Sequence, residues 1–225
     1  MNLFIRDYVD FKYPFRGDDA FFRLIIGGAL SIILLTVIPA IFFFGYFNRL
    51  FKFIIYEEER PPTFSGISDI IFSGILTVIV LGIYFAIISI LIIPFELLVN
   101  STVIVLFIFV VYFFAGLYLL PILYYSFIRL VNNKPLSSDE VSEMITSSIY
   151  RMGFLTFLII LFSWVVFGLV LSGIAIGLML LLGSMSYPII IFMIFIGTSL
   201  NFLFFNYMVM ALANSVLRAS PDRFN

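Results

Sequence analysis

Cysteine and histidine are both absent from the 225 residues, and tryptophan occurs once. Without cysteine the chain has neither a disulfide framework nor a thiolate metal site. Without histidine it lacks the commonest general base and the commonest metal ligand. Charge is also scarce: Asp, Glu, Lys and Arg make up 11% of the residues, against roughly a quarter in a soluble domain. Twelve bases nearly balance thirteen acids, so there is no basic stripe of the kind nucleic acid demands. An intramembrane protease would need two buried aspartates, a serine with a histidine, or a zinc motif, and none of these is present. The expectation is a chain that is not an enzyme, with no catalytic residues, metal or cofactor.

Apolar length is what the chain has in abundance. Hydrophobic residues form 63% of it, a composition of the membrane class. Apolar segments run over about 21–47, 67–93, 103–128, 154–182 and 187–217, each long enough at 1.5 Å per residue for a hydrocarbon core of ~30 Å. The sequence therefore predicts an all-α, polytopic integral membrane helical bundle with interfacial amphipathic helices. Its divisions are an interfacial segment over 1–19, one transmembrane domain over 20–217, and a polar tail over 218–225. The first nineteen residues mix Asp7, Asp10, Asp18 and Asp19 with Arg6, Lys12 and Arg16 and contain no apolar h-region, so they read as retained rather than as a signal peptide. Tyr8, Phe11, Tyr13 and Phe15 alternate there with charges, as aromatics do at headgroup level. Asp18 or Asp19 can cap the helix that follows by accepting from its free N–H groups.

A second kind of helix is expected at about 137–152. Ser137 and Glu140 have the spacing of a capping box, and Asp139 and Glu140 fall in the first turn, where the helix dipole favours acids. Val141, Met144, Ile145, Ile149 and Met152 then recur on one helical face, which suggests an amphipathic helix lying in the interface. Glu57, Glu58 and Glu59 read as a solvated loop, and Glu96 as an interfacial residue or cap beside Pro94.

The first apolar segment has two readings. As one helix, Phe21 to Phe47 would be about 40 Å long, tilted or kinked at Pro39. Alternatively Pro39 is the apex of a hairpin that returns the chain to the side it left. Besides the N-terminal segment and Arg23 just after it, Lys and Arg fall at 49–60, 129–151 and the tail, whereas the turns after Pro94 and Gly183 carry none. The positive-inside rule places those three regions, and so the C-terminus, in the cytoplasm of a multi-pass cell-membrane protein. With five crossings, Arg6, Lys12, Arg16 and Arg23 fall outside, giving eight bases inside against four; with a hairpin all twelve lie inside. The charge count favours the hairpin, and the short apolar length of its return arm opposes it.

Candidate sites are few. Arg49, Lys52, Arg129 and Lys134 stand at the basic ends of segments, where they could meet lipid phosphate or a partner. Ser199 and Asn206 are seven residues apart on one face of the last segment, as interhelical glue or as part of a transport path. Gly173 and Gly177 form a G-x-x-x-G pair that offers a close-packing or dimerisation face.

Phe47-Asn48-Arg49-Leu50 and Phe127-Ile128-Arg129-Leu130 look alike, each following a proline-containing segment and preceding further prolines and serines. A parallel repeat of hairpin plus interfacial helix is one reading of this. Tyr13-Pro14, Gly17-Asp18-Asp19, Ile26-Gly27-Gly28, Ile38-Pro39, Gly45-Tyr46 with Arg49, Pro61-Pro62 with Phe64, and Gly74 form a further pattern. With Tyr118 and Pro121 as a weaker second block, the chain resembles the archaeal and bacterial membrane family catalogued as domain of unknown function 4013. Ala20 and Ser65 stand where that family often has tryptophan. The family is distantly similar to the membrane domain of some glycerophosphodiester phosphodiesterases. The resemblance implies a membrane fold and location, and no mechanism. The functional expectation is a non-catalytic scaffold or a subunit that binds lipid or a partner, within the bilayer and with another membrane protein or a second copy as candidate partners. The alternatives are a small transporter or exporter, and membrane support for a separately encoded enzyme.

Overall fold

The computed structural model describes residues 2–32, 37–98, 102–131, 135–182 and 187–219, and among these there is no strand. In chain order the helices are α1 (Asn2–Tyr8), α2 (Ala20–Ile32), α3 (Val37–Ile55), α4 (Ile67–Leu98), α5 (Thr102–Val131), α6 (Ser138–Thr146), α7 (Ser148–Leu182) and α8 (Tyr187–Ala219), with a 3₁₀ turn at Tyr13–Phe15. The protein is thus an all-α bundle. Five of these helices, α3, α4, α5, α7 and α8, are long and apolar enough to cross a membrane, and α2 is a shorter apolar helix. It is a multi-pass membrane protein by that measure.

The first apolar segment is two helices, not one. The described helical runs are Ala20–Ile32 and Val37–Ile55, so Pro39 lies near the start of α3 rather than at an apex. A proline fits there because the first N–H groups of a helix have no intrahelical acceptor to lose. The two helices run antiparallel. Tyr13, beside the start of α2, donates its hydroxyl to the carbonyls of Glu58 and Arg60 just past the end of α3, both at 3.2 Å. The chain therefore comes back to the end from which it set out. At 1.5 Å per residue, α2 is about 20 Å long and α3 about 28 Å, against about 50 Å for α7 and α8. The hairpin is seated between the longer helices: α3 packs along α4 and α8, and α2 along α8.

Other boundaries also differ from expectation. α4 continues past Pro94 to Leu98. The helix expected over 137–152 is divided at Ser147, whose backbone is extended (φ −62°, ψ 135°). Its first part is α6, closed at its start by the capping box: Glu140 N donates to Ser137 Oγ at 3.2 Å, and Ser137 N to Glu140 Oε2 at 2.8 Å. Ser147 then accepts from Tyr150 N at 3.1 Å and begins α7, six residues before the expected start of the fourth segment. Met144 is fully buried, but Ile149 and Met152 are exposed, so the apolar periodicity across the break is not one face. Asp19 directs its carboxylate to the Arg23 guanidinium.

The core lies towards one end of the bundle. Phe43, Tyr46 and Phe47 of α3 meet Phe202 and Phe205 of α8 edge-on or tilted, with centroids 5.1–6.4 Å apart. Phe64 stacks on Tyr46 at 4.6 Å. Tyr118 of α5 joins through Tyr150 and Phe154 of α7. Farther from this core, Ile83, Phe107, Leu169 and Ile191 are exposed, as side chains facing acyl chains would be. The close-packing face expected at Gly173 and Gly177 is not used among the described residues, none of whose atoms lies within 4 Å of where a Cβ would stand at either. Tight approaches occur at Gly27 against Phe202, Gly45 against Ile70, Gly74 against Ile41 and Gly153 against Ser215.

Candidate functional site

Ten of the twelve Lys and Arg have described side chains, the exceptions being Lys134 and Arg223, and all ten belong to the end of the bundle that also holds the core. The N-terminal segment lies across this end as a collar. Tyr8 donates to the carbonyl of Ile149 at 3.1 Å, at the start of α7. From α8, Asn214 donates to the carbonyl of Tyr8 at 2.9 Å, Tyr207 to that of Phe11 at 3.4 Å, and Arg218 to that of Asp7. The Arg218 guanidinium also lies over the Tyr8 ring, 5.2 Å from its centroid. On the other flank, Arg16 pairs with Asp10 at 2.6 Å and donates to the carbonyl of Glu59 at 3.3 Å.

Arg23 anchors the base of the collar. Only 3% of its surface is exposed, a costly place for a guanidinium unless its donors are used. Its two terminal nitrogens go to the Asp19 carboxylate, the Arg16 carbonyl and the Pro14 carbonyl, the last at 3.1 Å, while Nε has no partner among the described residues. Tyr13 is buried beside it, and the loss of solvent pushes its hydroxyl up to about 12, with the nearby Arg16 opposing the shift. Tyr8 is raised as well, by burial first and against the charge of Arg218.

Between the collar, the α3–α4 loop and the end of α8 is a cleft of about 810 Å³. Its rim carries Asp10, Arg16, Glu57, Glu58, Glu59 and Arg218. Its floor is apolar: Ile54 and Ile55 from α3, Met210 and Leu217 from α8. Glu57 holds φ at 54°, a left-handed conformation uncommon outside glycine, and this turns the chain out of α3 into the loop.

The basic residues singled out from the sequence do not converge on one point. Arg49 donates to the carbonyls of Thr63 and Ser65, at 3.4 and 2.6 Å, and so folds the α3–α4 loop against its own helix. Lys52 is half-buried on the same helix. Arg129 is on α5, its guanidinium 6.0 Å from the Tyr125 ring centroid. Lys134 lies outside the described residues.

Ser199 and Asn206 do share a face of α8, and both point into the α2–α3 hairpin. Ser199 stands against Gly28. Asn206 is fully buried, donating to the carbonyl of Phe202 at 2.7 Å and accepting from the Tyr46 hydroxyl at 3.5 Å. A second buried amide, Asn48 on α3, donates to the carbonyl of Ser73 at 3.2 Å and to Thr77 Oγ1 at 3.4 Å, joining α3 to α4.

The collar residues were missed at the sequence level. Aromatics alternating with charges in the first nineteen residues were the available signal, and it pointed to a surface rather than to a clamp. No family model, curated protein or solved structure matches the chain.

Proposed function

We propose that this membrane protein is a non-catalytic scaffold whose charged end binds a partner or lipid headgroups. The observation that carries the reading is the division of polar groups between the two parts of the bundle. Inside, Asn206, Tyr46, Asn48 and Thr77 bond to one another or to backbone, as helix glue does. At the end, Arg16, Arg23 and Arg218 fasten a collar, and Arg16 and Arg218 stand on the rim of an open cleft. By the positive-inside rule this end faces the cytoplasm, which puts both termini there.

The resemblance to domain of unknown function 4013 fits this reading, because its residues coincide with the contacts that build the charged end. Tyr13 and Arg49 hold the α3–α4 loop, Gly45 and Gly74 seat α3 on α4, Gly27 meets Phe202, and Phe64 stacks on Tyr46. Membership of that family is part of the proposal.

Native mass spectrometry of the protein in mild detergent tests the binding role. A retained polypeptide or a defined lipid is the expected result; a bare chain would count against it. The transporter reading has one observation in its favour, the interruption of the first apolar stretch by a hairpin seated between longer helices. Solute flux into liposomes at unchanged protein stability would favour that reading instead.

A further inference from the structure

Resting on the binding role proposed above, we infer that the cleft between the collar and α8 is a site for a zwitterionic phospholipid headgroup of the ethanolamine class. Position comes first. The candidate spans of α3 and α8 end at Ile55 and Ala219, so the floor residues Ile54, Ile55 and Leu217 lie in their last turns. The cleft therefore opens at the level where headgroups meet the acyl region. Its volume of about 810 Å³ falls within the ~300–1,000 Å³ typical of ligand pockets. That is ample for a headgroup and glycerol, and the apolar floor suits the first methylenes of an acyl chain.

Charge then selects the headgroup. Arg16 is engaged with Asp10, while the carboxylates of Glu57, Glu58 and Glu59 form no ion pair with a described basic side chain. Their loop is nevertheless fixed, because Tyr13 and Arg16 hold the carbonyls of Glu58, Glu59 and Arg60. The rim thus presents three uncompensated carboxylates together with the Arg218 guanidinium, Arg16 being paired with Asp10. An anionic headgroup would meet the excess of negative charge. A headgroup carrying both phosphate and ammonium satisfies both signs: phosphate with the Arg218 guanidinium, ammonium with the glutamates.

Choline is the poorer fit of the two common amines. A quaternary ammonium has no N–H for the glutamates, and of the two rings lining the cleft the Arg16 guanidinium covers Tyr13, 5.7 Å from its centroid, which leaves Tyr56 alone rather than an aromatic cage. A primary ammonium has three N–H donors for the carboxylates.

The test uses the full-length protein in bilayer nanodiscs containing equal amounts of phosphatidylethanolamine, phosphatidylcholine and phosphatidylglycerol, released into native mass spectrometry. Phosphatidylethanolamine adducts should exceed both others. The combined substitutions Glu57→Gln, Glu58→Gln and Glu59→Gln should lower that preference about tenfold and raise phosphatidylglycerol, at unchanged melting temperature. Soluble phosphoethanolamine in excess should leave the lipid bound; displacement would mean a soluble amine phosphate is the ligand and would overturn the lipid assignment. Equal retention of the three lipids, or an unchanged preference in the triple variant, would also overturn it. A retained polypeptide without lipid preference would leave the scaffold role standing while removing this site. Retention of neither, with solute flux, would remove both.

Discussion

Gly45 of α3 and Gly74 of α4 are reciprocal: a Cβ on Gly45 would run into the carbonyl of Ile70, and one on Gly74 into the carbonyl of Ile41. Each glycine thus admits the backbone of the partner helix one turn away from the other contact. A carbonyl cannot swing aside as a side chain can. Gly45→Ala or Gly74→Ala should force the helices apart and cost about 1–3 kcal/mol, as overpacking does. Gly173→Ala and Gly177→Ala, with open space at the same position, should cost nothing. Melting temperatures of the four variants in one detergent compare them directly; equal losses would contradict the packing described.

Asn206→Leu should weaken the joint between α8 and α3 without affecting any solute movement. The loss should be modest, about 0.6 kcal/mol and at most about 2, as for other interhelical bonds in membranes. Tyr46→Phe should cost less, since its bond to Asn206 is long at 3.5 Å. Reversible unfolding of both single variants and the double variant measures the coupling. A change in liposome flux at wild-type stability would instead assign Asn206 to a transport path.

Alkaline pH should loosen the collar. The Tyr13 hydroxyl is raised from 10.0 to about 12, so between those values the unfolded chain has lost a proton that the folded chain still holds. Stability from this group is therefore fully present below pH 10 and falls as pH rises towards 12. Thermal melting across that window should show a shallower decline in Tyr13→Phe than in the wild type. Parallel curves would remove Tyr13 from the linkage.

The side of the N-terminus can be read with a thiol, because there is no native cysteine. With the hairpin of α2 and α3, Asn2→Cys should resist an impermeant maleimide in intact cells and react once they are opened. Reaction in intact cells would place the charged end outside.

Much of this architecture was written in local patterns. Apolar length marked the long helices, and the Ser137–Glu140 spacing marked the start of α6, because both signals act over a few residues. The reversal between α2 and α3 was harder to place, since Pro39 is the obvious breaker yet lies within α3, where it fits the first turns of a helix. The division at Ser147 was hidden by an apolar period that continued by coincidence through Ile149 and Met152. The collar was illegible for another reason. Its bonds join side chains to backbone carbonyls over as many as 211 residues, and every residue type supplies a carbonyl. Likewise, nothing local distinguishes Gly45, which meets a helix, from Gly177, which meets none among the described residues.

The bonds from Asn214 and Arg218 to Tyr8 and Asp7 also impose an order in time. α1 is fastened by α8, so these contacts cannot form until Asn214 and Arg218 have themselves been made. At about 5–20 residues per second, roughly 10–40 seconds separate the synthesis of Tyr8 from that of Arg218. During that interval the N-terminal segment waits without its α8 partners, held only by its bonds to the α3–α4 loop and to α7.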